Sequence, residues 1–137
     1  MKKLLNSLSA IALLALSVSS SAACLDNIQL ATIQSKIEQL NSSYKDVPSS
    51  IQCNRTKNAA EKKICGNKTL AAMEVLDTKA YVYATENATG SEVNHQKWKD
   101  DAWIKSTRNR CSTEECICKN LSEHTNDSLG GESPYKK

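Results

Sequence analysis

The sequence predicts an all-α fold, a small disulfide-stapled helical bundle of about four to five helices. Three observations predict it. Apolar residues recur at alternating spacings of three and four, as in Leu30, Ile33, Ile37, Leu40 and Tyr44. No run alternates apolar and polar residues with β-branched enrichment, so strands have no signal. Six cysteines in 137 residues supply staples for a core that contains no Phe. Glycine and proline are scarce, which excludes collagen-like and low-complexity chains.

Residues 1–23 read as a cleaved signal peptide. Lys2 and Lys3 precede an uncharged apolar run from Leu8 to Val18, and Ser21 and Ala23 are small residues before a cleavage point at Cys24. The run is short for a membrane span, and no later stretch approaches about 20 apolar residues, so no stable span is expected. The expected location is the periplasm or the medium. A lipoprotein anchored through Cys24 is the alternative, but Ser21 stands where a lipobox wants a bulky aliphatic residue. Lipidation would also leave an odd number of cysteines.

Removing residues 1–23 takes two lysines and no acid from 18 basic and 15 acidic residues, leaving 16 against 15, a net +1. Such a balance carries no nucleic-acid footprint.

Residues 24–49 form an N-terminal helix and linker. Asp26 with Gln29 makes a capping-box spacing that starts a helix running to Tyr44. Pro48 forbids its continuation. Residues 50–125 form the main helical domain. Asn58 and Glu61 cap a short helix that ends at Cys65, with Gly66 as a left-handed stop. A longer helix covers 68–86, with Leu70, Met73, Leu76, Ala80 and Tyr83 on one side. Ser91 caps a helix running to about Thr107. Thr113 caps a last helix carrying Cys116, Ile117 and Leu121. The tail, 126–137, shows no periodicity and is expected to be flexible.

Cys53 and Cys65 bracket the short helix, and a bond between them would fix it against the next. Cys116 and Cys118 point about 200° apart on a helix, so they do not readily share a partner. One reaches Cys111 and the other is free for Cys24. The preferred set among the connectivities six cysteines allow is Cys53–Cys65, Cys111–Cys116 and Cys24–Cys118. The rival is a zinc site of Cys111, Cys116, Cys118 and His124, against which stands the lack of a CxxC knuckle.

Catalytic constellations have little support. His95 and His124 are read as exposed. Asp100-Asp101 and Glu114-Glu115 are adjacent acids on helices, where neighbours point about 100° apart, so each pair is read as a solvated face. No nucleophile elbow or phosphate loop occurs. The chain is expected not to be an enzyme and to need no cofactor.

Spaced motifs then carry a resemblance. Eleven residues separate Cys53 from Cys65, the last residue of AEKKIC. LAAMEVLDTKAY follows, with Leu70, Glu74 and Tyr81, then Trp103, Lys105, Arg108 and Cys111, then Cys116 and Ile117. Residues 50–125 resemble in this the lysozyme inhibitor LprI N-terminal domain family of small exported bacterial domains. Arg108 sits one place later than the arginine usual there. Cys24, Cys118 and helix 26–44 lie outside the resemblance and fit an added helix with its own staple.

The resemblance implies a binding protein, in some members an inhibitor of lysozyme. An inhibitor must block a cleft holding two catalytic carboxylates. The candidate contacts are Arg108, Arg110 and Lys105 near the Cys111 turn, and Arg55 and Lys57 in the Cys53–Cys65 loop. The partner expected is a protein, either a lysozyme-type muramidase or a periplasmic toxin to which this chain gives immunity. A non-inhibitory envelope docking module is the remaining alternative.

Overall fold

A computed structural model describes residues 23–136; the expected signal peptide therefore lies almost wholly outside the described residues. Within them the chain is all-helical, with five α-helices and no strand. These are α1 (Leu30–Tyr44), α2 (Ala59–Cys65), α3 (Lys68–Thr89), α4 (Asp101–Ser106) and α5 (Glu114–Leu129). The disulfides join Cys24 to Cys118, Cys53 to Cys65 and Cys111 to Cys116, the set preferred from the sequence. Such bonds persist in oxidising compartments, in keeping with an extracytoplasmic protein. No described helix is long and apolar enough to cross a membrane.

The middle of α3 is the centre of the bundle. Leu70, Met73, Leu76, Ala80 and Val82 are buried there, and α1, α2 and α5 pack around it. Ile33 and Leu40 from α1, Ile64 from α2, and Ile117 and Leu121 from α5 complete the core. α1 begins at Leu30, three residues later than the Asp26 cap predicted. Cys24–Asn27 instead form a 3-10 turn, and Ile28 and Gln29 are extended. The turn brings Cys24 to Cys118 before the helix can start.

Lys79 of α3 fixes the other end of α1. Its ammonium is buried and donates to the carbonyls of Tyr44 at 2.8 Å and Val47 at 3.0 Å. The Tyr44 carbonyl, at the helix end, also accepts from Val47 N at 3.2 Å, so the ammonium holds the turn that follows α1. Burial pulls the Lys79 pKa down, and Asp46 opposes it.

Asn58 caps α2 as expected, accepting from Glu61 N at 2.9 Å. Gly66, expected as a left-handed stop, has φ −83 and is right-handed. The left-handed glycine is Gly90, φ 68, which ends α3 three residues beyond the predicted Glu86.

The predicted helix 91–107 is the largest departure. Residues 91–100 have no helix, and α4 is capped by Asp100, which accepts from Trp103 N at 3.0 Å. Side chains of 91–100 bond across the fold instead. Asn94 turns the chain, with Oδ1 accepting from Gln96 N and O from Trp98 N. Trp98 Nε1 donates to Thr85 at 3.1 Å, and Gln96 donates to the Asp46 carbonyl. Long-range partners here outweigh a weak helical pattern.

The tail is also not as predicted. α5 continues to Leu129, which is buried with Thr125. Ser133 is buried and donates to Asn126, and Tyr135 packs against the core. One half-buried tyrosine and one buried serine anchor a segment whose sequence lacks a repeat.

Candidate functional site: a basic pocket beside a buried acid–base cluster

Charged residues on α3 build the cluster. Glu74 and Asp77 are one turn apart on a helix that is buried almost all round, so both carboxylates lie inside. Glu74 accepts from the hydroxyls of Ser49 and Ser50, from Ser50 N at 2.9 Å and from Thr78 at 2.9 Å. Asp77 accepts from Thr125 at 2.8 Å and lies 2.9 Å from His124 Nδ1. Burial raises the Asp77 pKa, and the hydrogen bond and charge of His124 oppose this.

Arg108 enters from the turn after α4. It is only 2% exposed. Its Nη1 donates to Ser50 Oγ at 2.7 Å and lies 3.7 Å from Glu74, and its Nη2 lies 3.8 Å from Glu61. Arg108 is therefore not a target contact, contrary to expectation. Two buried carboxylates need a buried cation, and a planar guanidinium can face both.

The histidines also depart from expectation. His124 is largely enclosed, with Nε2 3.0 Å from Asp100 Oδ2 and its ring stacked on Trp103 at 3.9 Å between centroids. His95 lies 2.7 Å from Asp46 and 2.7 Å from Glu86. Asp100 is accordingly a helix cap and an imidazole partner, not part of a solvated pair. The zinc set has no free sulfur, because all three of its cysteines are in disulfides.

Trp103 is half-buried, packed against the core, with its ring on His124. Trp103→Ala is expected to cost about 2–3 kcal/mol, below the cost of a fully buried tryptophan. Part of this is the stacked imidazolium, so the loss measured by urea unfolding should be larger at acid than at alkaline pH.

Next to the cluster opens a pocket of about 240 Å³ lined by Ser50, Gln52, Arg55, Lys57, Glu61 and Lys99. Glu61 is already engaged, accepting from Lys57 N at 2.6 Å and facing Arg108. The exposed charges at the mouth are thus Arg55, Lys57 and Lys99. Of the predicted contacts, the structure brings Arg55 and Lys57 together here. Lys105 and Arg110 are exposed on α4 and the following turn and do not line it. Lys99 and the cluster residues Asp77 and Ser50 were missed. Glu74 and Asp77 were visible as charges interrupting the apolar side of a long helix.

The pocket can accept carboxylates or other small anions. Trp98, the one exposed large apolar side chain among the described residues, stands next to Lys97 and Lys99 in the chain. Compared with known proteins, the chain matches no family model, no curated protein and no solved structure.

Proposed function

We propose that this chain is an exported binding protein that inhibits a lysozyme-type cell-wall hydrolase, with acidic side chains of the target entering the basic pocket. The observation that carries the proposal is the convergence of Arg55, Lys57 and Lys99 on one pocket beside the Cys53–Cys65 bond. A disulfide-held loop loses little freedom on binding, which favours affinity. Hydrolases of this class carry paired carboxylates in an open cleft. Trp98 supplies an aromatic anchor of the kind enriched at interfaces. The LprI-like motifs across residues 50–125 and the leader at 1–23 support the same assignment. The Cys24–Cys118 bond occupies the sulfur that lipidation would use, which favours an unlipidated mature form in the periplasm or medium. The chain binds rather than catalyses, since the carboxylates, the guanidinium and the imidazole of the cluster are all engaged with one another.

The test mixes the purified mature protein with a panel of muramidases and follows cell-wall turbidity. The parent should inhibit at least one. Arg55→Glu with Lys57→Glu should weaken that inhibition by about tenfold or more. Its melting temperature should be unchanged, because both side chains are exposed. Undiminished inhibition by the double variant removes the pocket as the contact. If the parent inhibits no muramidase but neutralises a periplasmic toxin or binds another envelope protein, the hydrolase assignment fails.

A further inference from the structure

Residues 91–100 leave α3 at Gly90 and rejoin the bundle at α4 without regular structure. Each of two imidazoles ties this segment to the rest of the fold by bridging two carboxylates. His95, on the segment, has Nδ1 2.7 Å from Asp46 Oδ1, beyond α1, and Nε2 2.7 Å from Glu86 Oε1 on α3. At the segment's end, Asp100 Oδ2 lies 3.0 Å from Nε2 of His124, whose Nδ1 lies 2.9 Å from Asp77 on α3. A neutral imidazole has one N–H and can donate to only one carboxylate. Its bare nitrogen then faces the lone pairs of the other. Only the imidazolium donates to both.

We propose that residues 91–100 form a strap locked by protons on His95 and His124, and that its state sets the position of Lys99 and so the grip of the basic pocket on an acidic partner. The second half rests on the pocket assignment made above. Lys99 lies next to Asp100, so release of the His124 clasp frees a residue of the pocket wall.

The surroundings favour the charged form at both clasps. Around His95 stand Asp46, Glu86 and the Tyr44 ring, with Glu92 and Lys79 further out. The bonds from Asp46 and Glu86 hold its pKa above the ordinary imidazole value. Around His124 stand Asp77 and Tyr81 of α3 and Asp100 and Trp103 at α4, with Glu74 and Arg108 acting on Asp77 and from beyond it. Burial pulls the His124 imidazolium down, but Asp77 and Asp100 outweigh it and its pKa is also raised.

With folded values above the unfolded one, the clasps contribute fully below about pH 6.5 and are lost as pH rises through the folded values. Asp46 and Glu86 are held below their ordinary values, chiefly by the His95 bond, so that clasp persists into mild acid. Trp98 on Thr85, Gln96 on the Asp46 carbonyl and Val93 N on Glu86 also hold the strap. Deprotonation therefore loosens it without unfolding the bundle.

The test follows hydrogen exchange of the mature chain across residues 91–100, normalised for intrinsic exchange, from pH 5 to pH 9. Imidazole NMR shifts are titrated in parallel, and a hexaglutamate peptide serves as the acidic probe. Both histidines should titrate above the ordinary value. The strap should lose protection in step with them while α3 and α5 keep theirs, and the peptide should bind less tightly on the alkaline side. In a His95→Gln, His124→Gln variant the strap's protection should no longer depend on pH. Should that variant fail to fold, His95→Gln alone should halve the number of titrating steps. Histidines titrating at or below the ordinary value, or protection that does not change with pH, overturns the strap. A pH-dependent strap in a protein that binds no peptide at any pH keeps the strap and overturns the pocket assignment.

Discussion

Arg108→Met is expected to lower the unfolding free energy by about 3–5 kcal/mol, read from the midpoint of urea unfolding. The side chain is 2% exposed and sits between Glu61, 8% exposed at its side chain, and Glu74, 2% exposed. Methionine fills much of the same space but leaves two buried carboxylates without their cation. Ser49, Ser50 and Thr78 still donate to Glu74, so its hydrogen bonds partly survive. The cost is therefore chiefly the uncompensated charge. Adding Glu61→Gln and Glu74→Gln to Arg108→Met should recover much of the loss. Arg108→Lys should recover only part, because one ammonium cannot spread to Ser50, Glu61 and Glu74 as a guanidinium does. A midpoint unchanged by Arg108→Met would mean that water reaches the cluster and that Arg108 is free to act as a surface contact after all.

Some local signals in this sequence were legible, while the Asp26 and Ser91 caps and the Gly66 stop were not realised, and the long-range side-chain partners went unread. Asn58 and Thr113 cap α2 and α5 as read, since a cap depends on residues two or three positions away. The preferred cysteine set is also the one formed; the helix turn between Cys116 and Cys118 separated their partners but left open which of them meets Cys24, 94 residues before Cys118. Arg108 was read as a solvated contact because its partners lie far off in the chain, Ser50 being 58 residues away. The same holds for His95, whose partner Asp46 is 49 residues distant, and for His124, 47 residues from Asp77. Helix 91–107 failed for this reason too. Its polar residues suited an amphipathic helix locally, yet His95, Gln96, Trp98 and Asp100 found partners across the fold. Two pocket residues, Arg55 and Lys57, were legible because the disulfide loop that carries them is itself local. Lys99 was not, since the strap's path decides where it stands.

Replacing both Cys24 and Cys118 by alanine should be the most costly of the three possible disulfide removals. The bond spans 94 residues, against 12 for Cys53–Cys65 and 5 for Cys111–Cys116. By the chain-entropy estimate these closures are worth about 4.7, ~2.8 and ~2 kcal/mol respectively. The native structure points the same way. The Cys24–Cys118 bond ties the first turn of the described chain to a fully buried position on α5. Other local support comes from the Cys24 N–H donating to Glu115 at 2.7 Å, on a side chain that is half-exposed, and from Leu25 and Ile28 packed against the edge of the core. A groove of about 420 Å³ lies beside this bond, lined by Ile28, Ile33, Pro134 and Tyr135, so few apolar contacts back it up on that side. Without the bond the turn should detach and the start of α1 should fray. Denaturant unfolding of the three double-alanine variants measures the order, and limited proteolysis before Leu30 reports the detachment. If the Cys111–Cys116 variant proves the least stable, native packing around that turn outweighs the entropy of the unfolded chain. The Cys111 turn is then the structural keystone, through its neighbour Arg108, rather than the N-terminal staple.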